Sequence, residues 1–139
     1  MSEELRLREG AGLKPALQEY LSDWSARTGI AVETWALPDA PLPSAVVRAV
    51  YAVVAEALTN VDRHSGARHV AIAVTVGATG LRMTISDEGV GFSEGTTGRG
   101  LAAMKANFVE IGGTLSINSV LGSGTTLSGV VPKRALRGA

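Results

Sequence analysis

Residues 69–87, HVAIAVTVGATGLRMTISD, place an apolar side chain at every second position on both sides of a glycine-bounded turn: Val70, Ile72, Val74 and Val76 before it, Leu81, Met83 and Ile85 after it. A period of two puts these side chains on one face, so the segment reads as a β-hairpin with an apolar side that must be covered. Helical spacing on either side offers the cover. Leu13, Leu17, Tyr20, Leu21 and Trp24 mark an amphipathic helix within residues 12–28, stopped by Gly29. Val46, Val50, Val53, Val54, Ala57 and Val61 share one face of a long core helix that starts at an N-cap on Ser44 and runs to about Val61. Leu101, Met104, Phe108 and Ile111 mark a third helix, ended by Gly112 and Gly113. Three further strands are expected at Ile30 to Trp35, around Leu115 and Ile117, and at Leu127 to Val131. The order α-β-α-β-β-α-β-β predicts an α+β fold, a two-layer α/β sandwich whose mixed, mostly antiparallel sheet is covered by helices on one face.

Composition narrows the function classes. A chain of 139 residues, 45% of them hydrophobic, holds one core and one domain. Thirteen basic residues balance thirteen acidic ones, so no net field draws the chain to nucleic acid or an anionic membrane. Without cysteine there is no disulfide, thiolate nucleophile or cysteine-held metal, and His64 and His69 alone do not make a histidine-rich site. The N-terminus is charged where a signal peptide is apolar, and no run is expected to reach the ~18 apolar residues that cross a bilayer.

Four segments carry candidate chemistry. Continued at 100° per residue, the long helix aligns Glu56, Asn60, Arg63 and His64 in one stripe at the margin of the apolar face, with Thr59 and Asp62 toward solvent. A carboxylate and a carboxamide four apart can together orient a water or a divalent cation; they are also ordinary residues near a helix end. In DEGVGF, Asp87 continues the inward phase of Leu81, Met83 and Ile85, so its carboxylate falls on the core side. Either the amides of Gly89 and Gly91 satisfy it, or it faces a pocket for a ligand bearing an N–H, such as the exocyclic amine of a purine. In TGRGLAAM a glycine pair opens a helix whose first amides suit an anion, although G-x-G alone is weak evidence. In GSGTTL, Thr125 is in phase with Leu127 and Val131 and can reach the same pocket as Asp87; a tight turn followed by a β-favouring threonine explains it equally well.

E-x-x-x-N, D-x-G-x-G, G-x-G-L and G-x-G-T, in this order over residues 12–132, together resemble the N, G1 and G2 boxes and terminal glycine-threonine motif of the GHKL ATP-binding superfamily. EALTNVDRHSGARHV, the short lid between DEGVGF and GRGLAAM, and IGGTLSINSVLGSGTTL are most similar to sensor histidine kinases of the nitrate-sensor and DesK-like type. The resemblance implies a Bergerat-type fold with ATP and Mg²⁺ as cofactors. By it, Asp87 accepts from the adenine amine with Thr125 completing the contact, and Gly89 and Gly91 let the loop pass close to the base. Asn60 ligates Mg²⁺, Glu56 polarises the attacking nucleophile, and Arg63 and His64 contact phosphate. Gly98, Gly100 and Leu101 form the lid and the start of the helix over the triphosphate. Asp62 and the pair Asn107-Phe108 depart from the family pattern, at positions outside the motifs.

A sensor kinase also needs an acceptor histidine followed by an acid on a dimerising helical hairpin, whereas His64 precedes Ser65 and His69 precedes Val70. The chain is therefore expected to be the catalytic ATP-binding domain of a larger cytoplasmic or membrane-bound kinase. Residues 1–11 would be a remnant of the dimerisation helix or linker, 12–134 the domain and 135–139 a tail. Expected partners are the phosphoacceptor hairpin domain of the same kinase and a response regulator, with no nucleic acid and no direct membrane contact; the isolated domain would be a monomer. The competing readings are a free-standing anti-sigma-factor serine kinase and a non-catalytic interaction module of the same superfamily.

Overall fold

In a computed structural model, residues 12–88, 98–120 and 124–136 are described, with the backbone alone at 64, 65, 98–100, 119 and 120. The elements follow in the order α1 (Leu13–Thr28), β1 (Ala31–Ala36), α2 (Ser44–Asn60), a π-helical turn (Val61–Ser65), β2 (His69–Gly77), β3 (Gly80–Asp87), α3 (Gly98–Glu110), β4 (Thr114–Val120), β5 (Gly124–Pro132) and α4 (Lys133–Leu136). The five strands form one sheet in the order β1-β2-β3-β5-β4. β1 runs parallel to β2 and every other pairing is antiparallel, the mixed sheet that the element order predicts.

The local signals explain the boundaries. Gly29 adopts φ +77° and its N–H bonds the Ser25 carbonyl at 2.9 Å, a left-handed stop that costs a residue without Cβ nothing. Gly77 and Gly80 pair across the two-residue turn of the β2–β3 hairpin. Ser44 differs from expectation: it is the first helical residue, and Pro43 occupies the cap position without a side-chain bond. Extended Pro43 presents its carbonyl to the Val47 N–H at 3.0 Å, which starts the helix without a hydroxyl.

One apolar cluster fills the space between the sheet and the helices, with Val70, Ile72, Val74, Leu81, Met83, Ile85, Leu115, Leu127 and Val131 projecting from the strands. α2 is buried beyond the stripe expected of it: Val47, Ala49, Tyr51 and Leu58 are covered as well, because α1 and α3 pack against it in addition to the sheet. The rings of Tyr20 on α1 and Tyr51 on α2 meet edge to face at 5.4 Å. Together with the next turn, Ser44–Arg63 forms a 20-residue stretch long and apolar enough to cross a bilayer, contrary to the sequence expectation. More than half of that window is buried within the fold, which accounts for its apolarity as a core helix.

Phe108 is fully buried, and the sheet accommodates it through a missing side chain. A Cβ at Gly129 would sit 2.5 Å from Phe108 Cε2 and 3.0 Å from Leu115 Cδ1, so only glycine lets α3 lie this close to β5. The C-terminal helix α4 straddles residue 134, and Ala135 and Leu136 pack against the core. The folded unit thus continues past the boundary expected at 134.

Candidate functional site

β3 ends at Asp87, and β5 runs back from Gly124 beside it. The register pairs Asp87 directly with Thr125, so the inward phases of the two strands bring a carboxylate and a hydroxyl to the same end of the sheet. Asp87 is 8% exposed, the single charged residue buried among those described. The strand ends are held together by Gly124: at φ +97° any Cβ there would run into the Asp87 carbonyl, so this close approach excludes other residues.

Asp87 and Thr125 form the polar end of a pocket whose remaining walls are Ala57, Asn60 and Val61 from the end of α2, Ile85 from β3, Met104 from α3, Ile117 from β4 and Leu127 from β5. The walls are predominantly apolar, with the polar groups concentrated at Asp87, Thr125 and Asn60. Such a slot suits a flat, weakly polar ring that presents an N–H donor to the buried carboxylate and its polar substituents to Asn60. Sequence reasoning placed Ala57, Val61, Ile85, Met104, Ile117 and Leu127 in strands and helices as core residues; their second role as pocket walls was missed. A positional signal existed for Ala57, Val61 and Ile85, which lie at or beside the ends of their elements near Asn60 and Asp87; Met104, Ile117 and Leu127 lie inside theirs and carried none.

Asn60 closes α2 and reaches the pocket, while Glu56 lies one helical turn earlier, half-buried. Beyond Asn60 the helix does not continue as α. Val61–Ser65 is a π-helical turn whose i→i+5 bonding lengthens the turn and rotates the following side chains out of the 100° progression. The expected stripe of Glu56, Asn60, Arg63 and His64 is therefore broken after Asn60. Arg63 is solvent-exposed, and the His64 side chain lies outside the description. Asp62 faces solvent as expected. Thr59 is half-buried instead, and its hydroxyl donates to the Ala55 carbonyl at 2.9 Å.

α3 starts at Gly98, so Gly98, Gly100 and Leu101 form its first turn, and half-buried Leu101 packs against the core. Gly89, Gly91 and the segment to residue 97 lie outside the described residues, as do residues 121–123, including Gly122. No cluster of three or more acidic, histidine or cysteine side chains suited to a metal ion occurs among the described residues. Asn60 offers a single hard oxygen at the pocket. That donor set fits Mg²⁺, which keeps several waters and is commonly held by one or two protein oxygens together with substrate phosphates.

The chain belongs to the histidine kinase-, DNA gyrase B-, and HSP90-like ATPase family, whose model matches residues 45–135. Among curated relatives it is 35% identical to the sensor histidine kinase LiaS of Bacillus subtilis, over 89% of this chain and 35% of LiaS. It is also 35% identical to the sensor histidine kinase MctS of Rhizobium johnstonii, over 99% of this chain and 32% of MctS. NarS of Mycobacterium tuberculosis, a sensor histidine kinase, is 32% identical over 77% of this chain and 26% of its own length. The chain thus spans about a quarter to a third of the length of these relatives. Among solved structures, the histidine kinase domain of the Erythrobacter litoralis blue-light activated kinase EL346 superposes with a TM-score of 0.74 at 22% identity, covering 91% of this chain and 65% of that one.

Proposed function

We propose that this chain is the ATP·Mg²⁺-binding catalytic domain of a two-component sensor histidine kinase. It would deliver the γ-phosphoryl group to a histidine on a separate helical hairpin of the same kinase, for relay to a response regulator. The observation that carries this reading is the in-register pairing of Asp87 with Thr125 at the buried end of an apolar slot that Asn60 borders. The similarity to LiaS, MctS and NarS supports the choice of acceptor.

In this reading the adenine lies between Met104 and Ile117 on one hand and Ala57, Val61 and Ile85 on the other. Its exocyclic amine donates to Asp87, and Thr125 completes the contact. A base read this way leaves its phosphates directed past Asn60, where the carboxamide oxygen would hold Mg²⁺. When bound, that ion would supply positive charge to offset that of the phosphates. Arg63 and His64 add positive and donor groups beyond Asn60, and the first-turn amides of α3 at Gly98 and Gly100 face developing phosphate charge. Gly89 and Gly91 let the loop after Asp87 approach the base.

Glu56, the acid on α2 one turn before Asn60, would accept a hydrogen bond from the N–H of the incoming imidazole, orienting the other, unprotonated nitrogen toward phosphorus. A P–N bond forms while the bond from the γ-phosphorus to the β,γ-bridging oxygen breaks. ADP leaves, and the imidazole proton passes to Glu56 or solvent. Neither His64 nor His69 has the acidic neighbour of an acceptor box, so the domain serves an acceptor in trans. The domain would work in the cytoplasm, as the cytosolic part of a larger sensor.

Two measurements test the reading. Calorimetry should give one saturable ATP site strengthened by Mg²⁺. Radiolabelled ATP with a purified histidine-bearing hairpin from a related sensor kinase should then yield an acid-labile, base-stable phosphoprotein. Absence of ATP binding by the folded chain would overturn the nucleotide assignment, and label found only on serine of an added protein would overturn the histidine assignment.

A further inference from the structure

The face of the sheet turned away from the helices carries a groove on the opposite side of the β3 end from the nucleotide pocket. It runs along β2, where Ala71 and Ala73 are short, with Glu33 and Trp35 on one side and Thr84 and Ser86 on the other. The register sets Ala71 between Glu33 and Ser86, and Ala73 between Ala36 and Thr84. On the β1 side Trp35 follows Glu33 by two residues and so shares its outward face, and the pairing slips between Thr34 and Ala36 beside it. Trp35 is 71% exposed, one of two large hydrophobic residues left to solvent among those described. It nevertheless lines the groove together with His69, Glu33 and Glu88.

The groove is acidic on balance. Glu33 and Glu88 line it together with His69, and among the described residues no lysine or arginine does. The His69 Nε2–H donates to Glu33 Oε1 at 2.9 Å, which fixes that carboxylate beside the groove while leaving its side chain 53% exposed. On the far wall Ser86 and Thr126 hydroxyls lie 3.2 Å apart, a polar edge able to meet peptide groups.

We propose that this groove docks a basic segment of a partner protein, laying an arginine across the Trp35 indole with its guanidinium toward Glu33 and Glu88. The small floor admits the aliphatic stem, the indole face attracts the cation, and the carboxylates accept its N–H groups. Arginine fits better than lysine because a planar guanidinium stacks on an indole while donating in its own plane. Ser86 and Glu88 point to this face whereas Asp87 points to the nucleotide pocket, so the two sites lie on opposite sides of one strand end and are separable by mutation.

The test is a ¹⁵N NMR titration of the 139-residue chain with acetyl-Gly-Arg-Gly-Arg-Gly-amide and, separately, with its glutamate counterpart. The arginine peptide should give saturable shifts at the Trp35 indole N–H and the Ala71 and Ala73 amides, and the glutamate peptide none. Trp35→Ala should abolish saturation at Ala71 and Ala73 with ATP affinity unchanged. Glu33→Gln with Glu88→Gln should weaken binding about two- to thirty-fold, the range of two exposed ion pairs. Equal shifts from both peptides, an undiminished response in Trp35→Ala, or Trp35-dependent self-association without peptide would each overturn the proposal. Loss of ATP binding bears on the nucleotide pocket and leaves these outcomes readable.

Discussion

Replacing Asp87 by asparagine isolates the contact on which the nucleotide assignment turns. The change conserves size and shape at the end of β3, beside Thr125 and under the backbone of Gly124, so the strand pairing has no steric reason to move. What changes is the character of the group. A carboxylate only accepts, on two oxygens, whereas a carboxamide must place an NH₂ where one of those oxygens was. In a site this buried the adenine amine then meets either a neutral acceptor or a second donor. A hydrogen bond to a charged group contributes about 1.5–3 kcal/mol. At about 1.4 kcal/mol per factor of ten, its loss should weaken ATP binding by roughly 10- to 150-fold. Calorimetry with ATP·Mg²⁺ measures this directly, and thermal unfolding without nucleotide establishes that the Asp87→Asn variant is folded. An affinity within about threefold of the parent in a folded variant would refute the assignment of Asp87 to the base, because a direct charged bond at this burial cannot be worth so little.

Asn60→Ala should leave ATP binding without Mg²⁺ near the parent value and remove the increment that Mg²⁺ adds, checked by calorimetry with and without EDTA. Glu56→Ala should retain fold and ATP affinity yet abolish transfer to a supplied acceptor hairpin, read as phosphohistidine; undiminished transfer would exclude its role with the nucleophile. Gly129→Ala should destabilise the domain by about 1–3 kcal/mol, the usual cost of overfilling a packed core. The new methyl would strike the Phe108 ring, which is enclosed and has no room to turn away. Urea unfolding checks this, and an unchanged midpoint would mean that α3 slides on β5 without cost.

Much of the fold was legible because its signals are local. The alternation through Val70–Ile85 and the turn glycines specify the hairpin, and Gly29 and Gly112 end their helices with the positive φ expected of them. Phase alone also put Asp87 and Thr125 on the same side of the sheet, since both continue runs of inward side chains. Period cannot say which strand lies beside which, or in what direction. The parallel β1–β2 pairing and the insertion of β5 between β3 and β4 depend on tertiary packing, which leaves little trace in any one segment. The π turn escaped for a different reason: VDRHS has no residue that forbids α-helix, so a constant 100° per residue carried Arg63 and His64 into a stripe that the longer turn breaks. Ser44 looked like a cap because serine favours that position, yet the preceding proline was already extended and took it.

The pairing of Asp87 with Thr125 joins the two ends of a stretch of chain that contains a helix and another strand. Closing that loop costs entropy that only the β3–β5 ladder offsets, so this end of the sheet is expected to form late in folding. A partly folded chain therefore has half a recognition site on each of two unjoined segments and no affinity for the ligand. Nucleotide should accordingly leave the refolding rate almost untouched and slow unfolding, its stabilisation growing as RT ln(1 + [L]/Kd). In kinetic terms, the ligand does not help to build the domain; it acts as a latch on one already complete.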